Sequence, residues 1–310
     1  MDVSVIIPVY NSQKYLARCL NSVIRACEIF GKKCELILID NKSTDDSLAI
    51  LRKYQKKRPD LIRVLQCSTL GAGAVRNMGV REAKGTFIWF VDADDEITGG
   101  SLRQLVAEAK KTDADLVTLG LTKVYPDGHK QYIPAIHADD PEFKSKFIRN
   151  ELGPVQVLIR RPWYISHNFE FMEGCIHEDM DLMPALILYT DKLASIDQSF
   201  YVYYQNESST LHPTEWSEKY FDIFPVLTHL INRFKAAGGM QKYHDELEWF
   251  FVWNLLMDSA EYFRGFSEGR TGFKRSREML HEYFPHWRKN RFFKKVNFRT
   301  KLKILLNYYR

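Results

Sequence analysis

Residues 3–9 have the sequence VSVIIPV, a β-branched apolar run that is followed by a turn at Asn11-Ser12. A run of this kind, stopped by a polar turn, predicts a buried β-strand. Ser12 is a favourable N-cap residue, so we expect a helix to begin there and to extend to about Phe30. A buried strand followed by a helix is the first half of a repeating α/β arrangement.

The same alternation continues along the first part of the chain. Residues 35–40 (ELILID) predict a second strand, and residues 62–65 predict a third. Residues 86–91 (TFIWFV) predict a fourth strand. Strands that alternate with helices at this spacing predict an α/β sheet that is largely parallel at its start.

The pattern changes after Asp115. Residues 116–124 and 131–136 flank a Tyr-Pro-Asp-Gly turn and predict an antiparallel hairpin. From about residue 215 the pattern is almost wholly helical and rich in aromatic residues. We therefore expect a mixed, mainly parallel sheet flanked by helices in a catalytic domain of residues 1–214. A helical region of residues 215–310 follows, with the boundary near residues 209–214.

Composition places the chain among ordinary globular proteins. Of its 310 residues, 45% are hydrophobic and 27% are charged. No apolar run approaches the roughly 20 residues that span a bilayer, and the N-terminus lacks the pattern of a signal peptide. We therefore expect a cytoplasmic location. The five cysteines form no C-x-x-C pair, so reduced, buried thiols are favoured over structural zinc or a disulfide framework.

The pattern Asp-x-Asp occurs three times, and its position in the sheet distinguishes the copies. Asp92-Ala93-Asp94 directly follows the fourth predicted strand, whereas Asp113 and Asp115 precede a strand. Ligands of open α/β sheets bind beyond the carboxyl ends of the strands, so the first copy lies at the functional edge. Its carboxylates suit a divalent cation that bridges the phosphates of a nucleotide. An acidic helix N-cap is the alternative interpretation.

Two further features belong to this edge. Asp40 ends the second strand, where its carboxylate either accepts hydrogen bonds from a nucleoside or only terminates the strand. Residues 71–79 (GAGAVRNMG) form a small-residue helix start that permits close approach of the backbone and carries one cation, Arg76. Neither a P-loop nor a Rossmann fingerprint is present, which argues against NAD-dependent chemistry.

The third Asp-x-Asp lies in an acidic stretch. Glu173, Glu178, Asp179 and Asp181 crowd the nine residues before a predicted helix. A carboxylate at a helix start can act as a general base toward a hydroxyl, but helix capping explains the cluster equally well. For His177, between them, we favour a surface or hydrogen-bonded histidine over a metal ligand.

Together these segments resemble family 2 of the inverting glycosyltransferases, of the type that assembles bacterial surface polysaccharides and has the GT-A fold. Five motifs occur in the order of that family, and the match covers roughly residues 3–211. The matching segments are residues 4–11, 35–45, 71–79, 84–95 and 178–179.

The resemblance implies a role for each matching residue. Six of them would bind a nucleotide-sugar, typically a UDP-sugar. Pro8 and Tyr10 would line the base pocket, and Asp40 would hold the base. Arg76 would help to fix Asp40 or the nucleotide, and Asp92-Ala93 would contact the ribose. Asp94, with Asp92, would bind Mn²⁺ or Mg²⁺. Asp179 would be the catalytic base, with Glu178 as its neighbour. Residues 201–211 would form a strand and a flexible segment over the donor.

The chain departs from the family pattern in two places. Asn41 and Lys42 stand where many relatives have Asp and then Gly, and Thr69 stands where Asn is common. All three touch the expected nucleotide pocket, so the identity of the base is less well defined than the type of reaction.

Two rival functions remain. A sugar nucleotidyltransferase needs a Gly-rich basic loop after the first strand, and Pro8-Val9-Tyr10-Asn11 does not supply one. A non-catalytic binding or scaffold protein is disfavoured because Asp92, Asp94 and Asp179 are all retained. An inverting hexosyl- or N-acetylhexosaminyl-transferase of cell-surface glycan assembly is therefore the favoured reading.

The C-terminal segment is strongly basic. Residues 264–310 contain 14 Lys or Arg against 3 Asp or Glu, although the whole chain has a net charge of only +5. Residues 283–310 interleave these cations with aromatic residues, which suits either an anionic membrane surface or a helix packed on the catalytic domain with a solvated cationic face. On the first reading, the enzyme would meet a glycan or lipid-linked glycan acceptor at the inner membrane face. Nothing resembles a nucleic-acid recognition module.

Overall fold

The computed structural model describes residues 1–31, 33–149, 152–205 and 215–310. The chain forms two compact units. The first comprises residues 1–143, 152–174 and 190–206, and the second comprises residues 144–151, 175–189 and 207–310. The boundary expected near residues 209–214, and the end of the segment expected over the donor, lie outside the described residues.

Within the described residues, nine strands form one sheet in the first unit. Their order is β3-β2-β1-β4-β8-β6-β9-β5, and β7 pairs with β6. The strands are β1 (Val3–Val9), β2 (Cys34–Asp40), β3 (Ile62–Gln66), β4 (Phe87–Phe90), β5 (Glu96–Ile97), β6 (Leu116–Val124), β7 (Lys130–Ile133), β8 (Val157–Arg160) and β9 (Leu193–Tyr204).

The sheet is mixed, as the sequence predicts. Strands β3, β2, β1 and β4 are mutually parallel, and β6 is parallel to β9. Strands β8, β7 and β5 each run antiparallel to their neighbours. The predicted hairpin is confirmed in β6 and β7. Strands β5 and β8 were missed by the pattern, because β5 has two residues and β8 only four.

The helices follow the strands in the first part of the chain and dominate the second unit. In chain order they are α1 (Leu16–Phe30), α2 (Ser47–Lys57), α3 (Ala72–Glu82), α4 (Ser101–Lys111), α5 (Phe143–Arg149), α6 (Arg161–Ser166), α7 (Asp179–Leu186), α8 (Ile223–Ala236), α9 (Gly239–Lys242), α10 (His244–Trp253), α11 (Ser259–Phe263), α12 (Gly269–Tyr283), α13 (Arg291–Lys295) and α14 (Phe298–Tyr308). The helical region predicted from about residue 215 is thus confirmed. In the described part of the chain, no helix is both long and apolar enough to cross a bilayer.

The first helix begins later than the sequence predicts. Residues 13–15 form a turn, and α1 begins at Leu16, where the carbonyl of Ser12 accepts the backbone N–H groups of Tyr15 and Leu16 at 3.0 Å each. The backbone N–H of Ser12 donates to the hydroxyl of Ser47 at 2.9 Å. Ser12 therefore ties the turn after β1 to the start of α2, and its side chain does not cap α1.

The core of the first unit lies between the sheet and α1. Every residue of β2 is buried, as is every residue of β1 except Pro8, which is half-buried. Leu16, Leu20 and Val23 on α1 have no exposed surface. The two strands pair in parallel from Val3 and Cys34 to Val9 and Asp40, and this register brings their carboxyl ends to the same edge of the sheet.

Candidate functional site

Strands β1 and β2 end side by side. Val9, the last residue of β1, pairs with Asp40, the last residue of β2. Tyr10 follows β1 and is 57% exposed. Strand β4 runs parallel to β1 and leads into Asp92. The sheet therefore brings Tyr10, Asp40 and Asp92 to one edge, which is where the sequence places a ligand site.

The Asp40 carboxylate is buried, and one of its oxygens lacks a partner. Only 1% of the residue is exposed. Among the described residues, no donor reaches its Oδ1 atom. A buried carboxylate oxygen without a hydrogen bond costs free energy, so this oxygen is suited to accept an N–H or O–H group from a ligand.

Asn41, next along the chain, has a structural role. Its Nδ2 atom donates to the carbonyl of Thr69 at 2.7 Å and to that of Cys67 at 3.3 Å. Its Oδ1 atom accepts the backbone N–H of Gly71 at 2.9 Å. One amide side chain thus fixes the segment that leads into α3. The two departures from the family pattern at Asn41 and Thr69 are in direct contact.

Lys42 adopts a backbone conformation that favours glycine. Its φ is +62°, in the left-handed region where a residue with a Cβ atom is disfavoured by about 1–2 kcal/mol. This is the position at which the resemblance to the family leads us to expect Gly. The turn geometry is therefore kept here by a residue that fits it less well.

Arg76 lies on α3 and is buried. Its Nη2 atom contacts Asp92 Oδ1 at 3.2 Å, and its guanidinium lies 5.5 Å from the centre of the Phe171 ring. The sequence leads us to expect Arg76 near Asp40 or the nucleotide, and the structure pairs it with Asp92. Arg76 thus holds one carboxylate of the strand edge.

The next residue, Asn77, connects α3 to residues 171–173. Its amide donates to the carbonyl of Phe171 at 2.9 Å and accepts the backbone N–H of the same residue at 2.8 Å. It also donates to the Glu173 carboxylate at 3.2 Å. These bonds fix a segment that is remote in sequence beside the helix that carries Arg76.

The four residues after Val91 differ in burial. Ala93 and Asp95 are buried, whereas Asp92 and Asp94 are half-buried. Asp95 accepts the Tyr201 hydroxyl at 2.6 Å and the Tyr204 backbone N–H at 2.8 Å. Asp95 therefore anchors the loop to β9, and Asp92 and Asp94 are the accessible carboxylates.

Two side chains of the first helical turn hold the backbone of the same loop. The Arg18 guanidinium donates to the carbonyl of Asp94 at 2.5 Å, and the Cys19 thiol donates to that of Asp92 at 3.4 Å. Arg18 also lies over the Tyr204 ring, 3.6 Å from its centre. The loop is therefore rigidly held from both sides.

The carboxylates of this loop produce a strongly negative site. Burial, reinforced by the charges of Asp92 and Asp94, raises the pKa of Asp95 to about 8. The same combination of burial and neighbouring acids raises the pKa values of Cys19 and Tyr201. Sequence reasoning missed Asp95, Tyr201 and Arg18 as a group because they are far apart in the chain, and no local pattern connects them.

The second Asp-x-Asp is neutralised by cations at the start of β6. Asp113 contacts Arg160 at 2.9 Å and Lys192 at 2.6 Å, and these contacts lower its pKa. Asp115 accepts the Thr190 hydroxyl at 2.6 Å. These contacts are structural, and the pair lies at the opposite end of the sheet from Asp92.

The third Asp-x-Asp belongs to the second unit and opens α7. Asp181 is fully buried and accepts hydrogen bonds from His229 Nδ1 and, at 3.1 Å, from Arg233 Nε. These two partners fasten the start of α7 to α8. Glu178, just before the helix, is also buried, whereas Asp179 is half-buried. Asp181 is thus structural, and Asp179 is the accessible carboxylate of this triplet.

His177 lies in a setting that is both acidic and buried. Burial lowers its pKa, although the charges of Glu178 and Asp222 act in the opposite direction. Its backbone has φ of +66°, and its ring lies 5.6 Å from that of Tyr262. Among the described residues, no partner reaches its Nε2 atom.

A separate group of possible metal ligands was not predicted. His244, Asp245 and Glu248 on α10 place one ligand atom each within 4.8 Å of one another. Two of these carboxylates already have partners, since Glu248 accepts from Asn290 at 2.7 Å and Asp245 contacts Arg291 at 3.3 Å. These contacts describe a structural junction between α10 and α13.

Comparison with known proteins identifies the family. Residues 4–168 match the model of glycosyl transferase family 2. The uncharacterized glycosyltransferase EpsJ of Bacillus subtilis is 28% identical over 67% of this chain and 62% of its own length. The poly(ribitol-phosphate) beta-N-acetylglucosaminyltransferase TarS of Staphylococcus aureus is 34% identical over 51% of this chain and 27% of its own length. The chain thus spans less than two thirds of either relative.

Other relatives cover more of the chain. The glycosyltransferase GlyG of Streptococcus pneumoniae is 26% identical over 84% of this chain and 92% of its own length. The crystal structure of S. aureus TarS 1–349 superimposes with a TM-score of 0.73 at 21% identity, covering 99% of this chain and 89% of that one. The mannosyltransferase PcManGT of Pyrobaculum calidifontis, solved with GDP-Man and Mn²⁺, gives 0.54 at 16% identity, covering 99% and 85%. The GT-A fold is confirmed.

Proposed function

The chain belongs to glycosyl transferase family 2, and on this basis we propose that it transfers a hexose or N-acetylhexosamine from a UDP-sugar to an acceptor hydroxyl. Transfer proceeds with inversion, and the acceptor is a bacterial cell-surface glycan or its lipid-linked precursor. The TarS relative acts on poly(ribitol-phosphate), and one of its crystal structures contains UDP-GlcNAc. These relatives support the donor and acceptor classes.

The unpartnered buried oxygen of Asp40 is the observation that carries this proposal. Uracil and thymine present a ring N3–H that donates to a carboxylate, whereas the corresponding ring nitrogen of cytosine carries a lone pair that would face the carboxylate oxygens. An acceptor at the end of β2 therefore selects among bases by hydrogen-bond polarity. Tyr10 is exposed beside it and offers a ring face, and Pro8 is half-buried in β1. These three residues would form the base pocket.

Asp92 and Asp94 would hold a divalent cation. Their oxygen ligands suit Mn²⁺ or Mg²⁺, and their charges raise the pKa of Asp95, a repulsion that a cation would offset. When bound, the ion would neutralise the charge on the departing diphosphate. Arg76 holds Asp92 at 3.2 Å and thereby limits its motion. Ala93, between them in the chain, is buried and would lie with Asp92 at the ribose.

The reaction would be a single in-line displacement. The acceptor oxygen attacks the anomeric carbon from the face opposite the diphosphate, and Asp179 takes the proton of that hydroxyl. Glu178 lies beside it and is buried. The pair Asp181–Arg233 holds the start of α7 and so positions Asp179. The bond to the diphosphate breaks as the glycosidic bond forms.

Titration calorimetry with nucleoside diphosphates, with and without Mn²⁺, tests the proposal. We expect Mn²⁺-dependent binding of UDP, and weaker binding of CDP and ADP. Asp40→Asn should weaken UDP binding about 10- to 100-fold, because a hydrogen bond to a charged group contributes about 1.5–3 kcal/mol. Asp46→Asn, at an exposed acid of the same region, is the matched control. Equal affinity for UDP and CDP, unchanged by Asp40→Asn, would remove the base-binding role.

A further inference from the structure

Helix α14 carries a row of exposed apolar side chains. Phe298 is 78% exposed, Leu302 46%, Leu306 57% and Tyr309 73%. The first three lie on one face of the helix, and Tyr309, which directly follows the helix, continues the row at the same spacing. We call these four residues the α14 stripe. An exposed apolar row of this kind is typical of a surface that binds another molecule.

The opposite face of α14 is packed into the second unit. Ile304 is fully buried, and the Asn307 side chain donates to the carbonyl of Leu256 at 2.6 Å. The helix therefore has a fixed orientation that directs the α14 stripe outward. This arrangement does not depend on a partner.

Cations border the α14 stripe. Leu302 and Leu306 line a shallow depression of about 330 Å³ together with Arg299, Lys303 and Arg310. Residues 284–310 contain nine Lys or Arg and no Asp or Glu. Lys303 contacts Glu261, on α11, at 2.8 Å, whereas Arg299 and Arg310 are exposed to solvent. The surface is thus apolar along its centre and positive at its border.

Four other aromatic residues of the basic segment do not contribute to this surface. Phe284 and Trp287 are buried, and Phe292 and Phe293 are buried as well. They pack inside the second unit. The exposed apolar side chains are concentrated on α14, and this division defines where a partner would bind.

We propose that the α14 stripe docks on the surface of an anionic phospholipid membrane. The apolar side chains enter the boundary between headgroups and acyl chains, and Arg299 and Arg310 contact lipid phosphates. An eleven-residue helix lying in the membrane plane needs no spanning segment. The proposal is independent of the chemistry at the strand edge.

Charge excludes the competing occupants. A second copy, paired through the same face about a two-fold axis, would bring the two cationic borders together, so that Arg299 and Arg310 of each copy would face like charges. A soluble polyanion, including nucleic acid, would use the cations but leave the leucines and Phe298 exposed. An anionic lipid surface is the partner that satisfies both parts of the surface.

Vesicle flotation tests the proposal with the full chain. We expect co-flotation with mixed phosphatidylcholine–phosphatidylglycerol vesicles, little with phosphatidylcholine alone, and weaker binding as salt is raised. The double variant Phe298→Ser/Leu306→Ser should bind at least tenfold more weakly. The control is Ile29→Ser/Ile165→Ser, which removes two apolar side chains elsewhere that are each 44% exposed. That control should bind like the unmodified chain.

A second pair of variants examines the border. Arg299→Gln/Arg310→Gln should weaken binding roughly 20- to 30-fold, since each cation near an anionic surface contributes about fivefold. Arg52→Gln/Lys53→Gln, at exposed cations of α2, is the control. It removes the same two positive charges from the chain and should have little effect on vesicle binding. Thermal unfolding verifies that all four variants are folded.

Three results would overturn the proposal. The first is that the unmodified chain does not bind vesicles, or that Phe298→Ser/Leu306→Ser binds them as well as Ile29→Ser/Ile165→Ser does. The second is that light scattering shows the unmodified chain to be a dimer, that Phe298→Ser/Leu306→Ser is a monomer, and that neither binds vesicles. The third is binding of soluble polyphosphate that equals vesicle binding and is unaffected by loss of the stripe.

Discussion

The hydroxyl of Tyr201 donates a 2.6 Å hydrogen bond to the buried carboxylate of Asp95. The same hydroxyl accepts the backbone N–H of Asp92 at 3.1 Å. A single side chain of β9 therefore holds both ends of the loop that follows β4. The accessible carboxylates of that loop keep their positions because their buried neighbour is fixed.

Tyr201→Phe should destabilise the protein and loosen the loop. The variant keeps the ring but removes two hydrogen bonds, one of them to a buried carboxylate, so we expect the free energy of unfolding to fall by about 1–3 kcal/mol. Urea denaturation measures this loss. Tyr204→Phe is the control, because its hydroxyl bonds to the half-buried Glu96 and should matter less. Equal losses in both variants would contradict the role of Tyr201.

The stability of the metal-free protein should decrease as the pH rises toward 8. The pKa of Asp95 is about 8 in the folded protein and about 3.9 in an unfolded chain. Its protonated form therefore favours folding, an effect that is complete below pH about 4 and is lost as the pH rises through about 8. Unfolding in EDTA at several pH values measures it, and Asp95→Asn should reduce the dependence.

Cation binding should be coupled to the same proton. If Mn²⁺ binds at Asp92 and Asp94, it favours ionised Asp95, so its affinity should increase between pH about 6 and 8 by up to about tenfold per unit. Calorimetry in buffers of different ionisation enthalpy counts the protons released. An affinity that does not change with pH would separate Asp95 from the cation.

Asp179→Asn should separate chemistry from binding. Loss of a general base lowers turnover by about 10²- to 10⁴-fold, while the affinity for the donor should stay within about twofold of the unmodified enzyme, since the change removes only a transition-state contact. Single-turnover transfer assays and donor titrations provide the two values. Glu170→Gln, at an exposed acid earlier in the same segment, is the control and should leave both values unchanged. Normal turnover in Asp179→Asn would assign the base elsewhere.

Asp181→Ala should lower the free energy of unfolding more than the same substitution at any exposed acid of the chain. It leaves Arg233 and His229 without their shared carboxylate, and removal of one partner of a buried pair costs about 3–5 kcal/mol. Asp113→Ala, which breaks exposed contacts to Arg160 and Lys192, is the control and should cost far less. Comparable losses would show that Asp181 does not anchor α7.

Buried strands were the part of the fold that the sequence predicts best. The run at residues 3–9 coincides with Val3–Val9, and the run at 116–124 coincides with Leu116–Val124. Strand β9 was expected only from residue 201, because the polar residues Asp197, Gln198 and Ser199 interrupt its apolar pattern. Parallel pairing with β6 stabilises these polar residues as part of the strand, which their local composition does not predict.

The candidate site was predictable where it depends on strand ends. Asp40 and Asp92 follow apolar runs, and parallel strands bring such residues to one edge. Spacing did not distinguish Asp179 from Asp181, since their difference in burial comes from His229 and Arg233 on another helix. Likewise, the support that Tyr201 gives to Asp95 joins residues 106 positions apart. Such contacts arise from tertiary packing and leave no local pattern.

Asn41 has a consequence for any attempt to redesign base selectivity. Its amide donates to two carbonyls and accepts one backbone N–H, a combination that a carboxylate at this position would not reproduce, because it repels the carbonyls of Cys67 and Thr69. Exchanging residue 41 alone would displace the entry into α3 and, with it, Arg76. Residue 41 and residues 67–71 therefore form one structural unit, and a chimera with a relative should exchange them together.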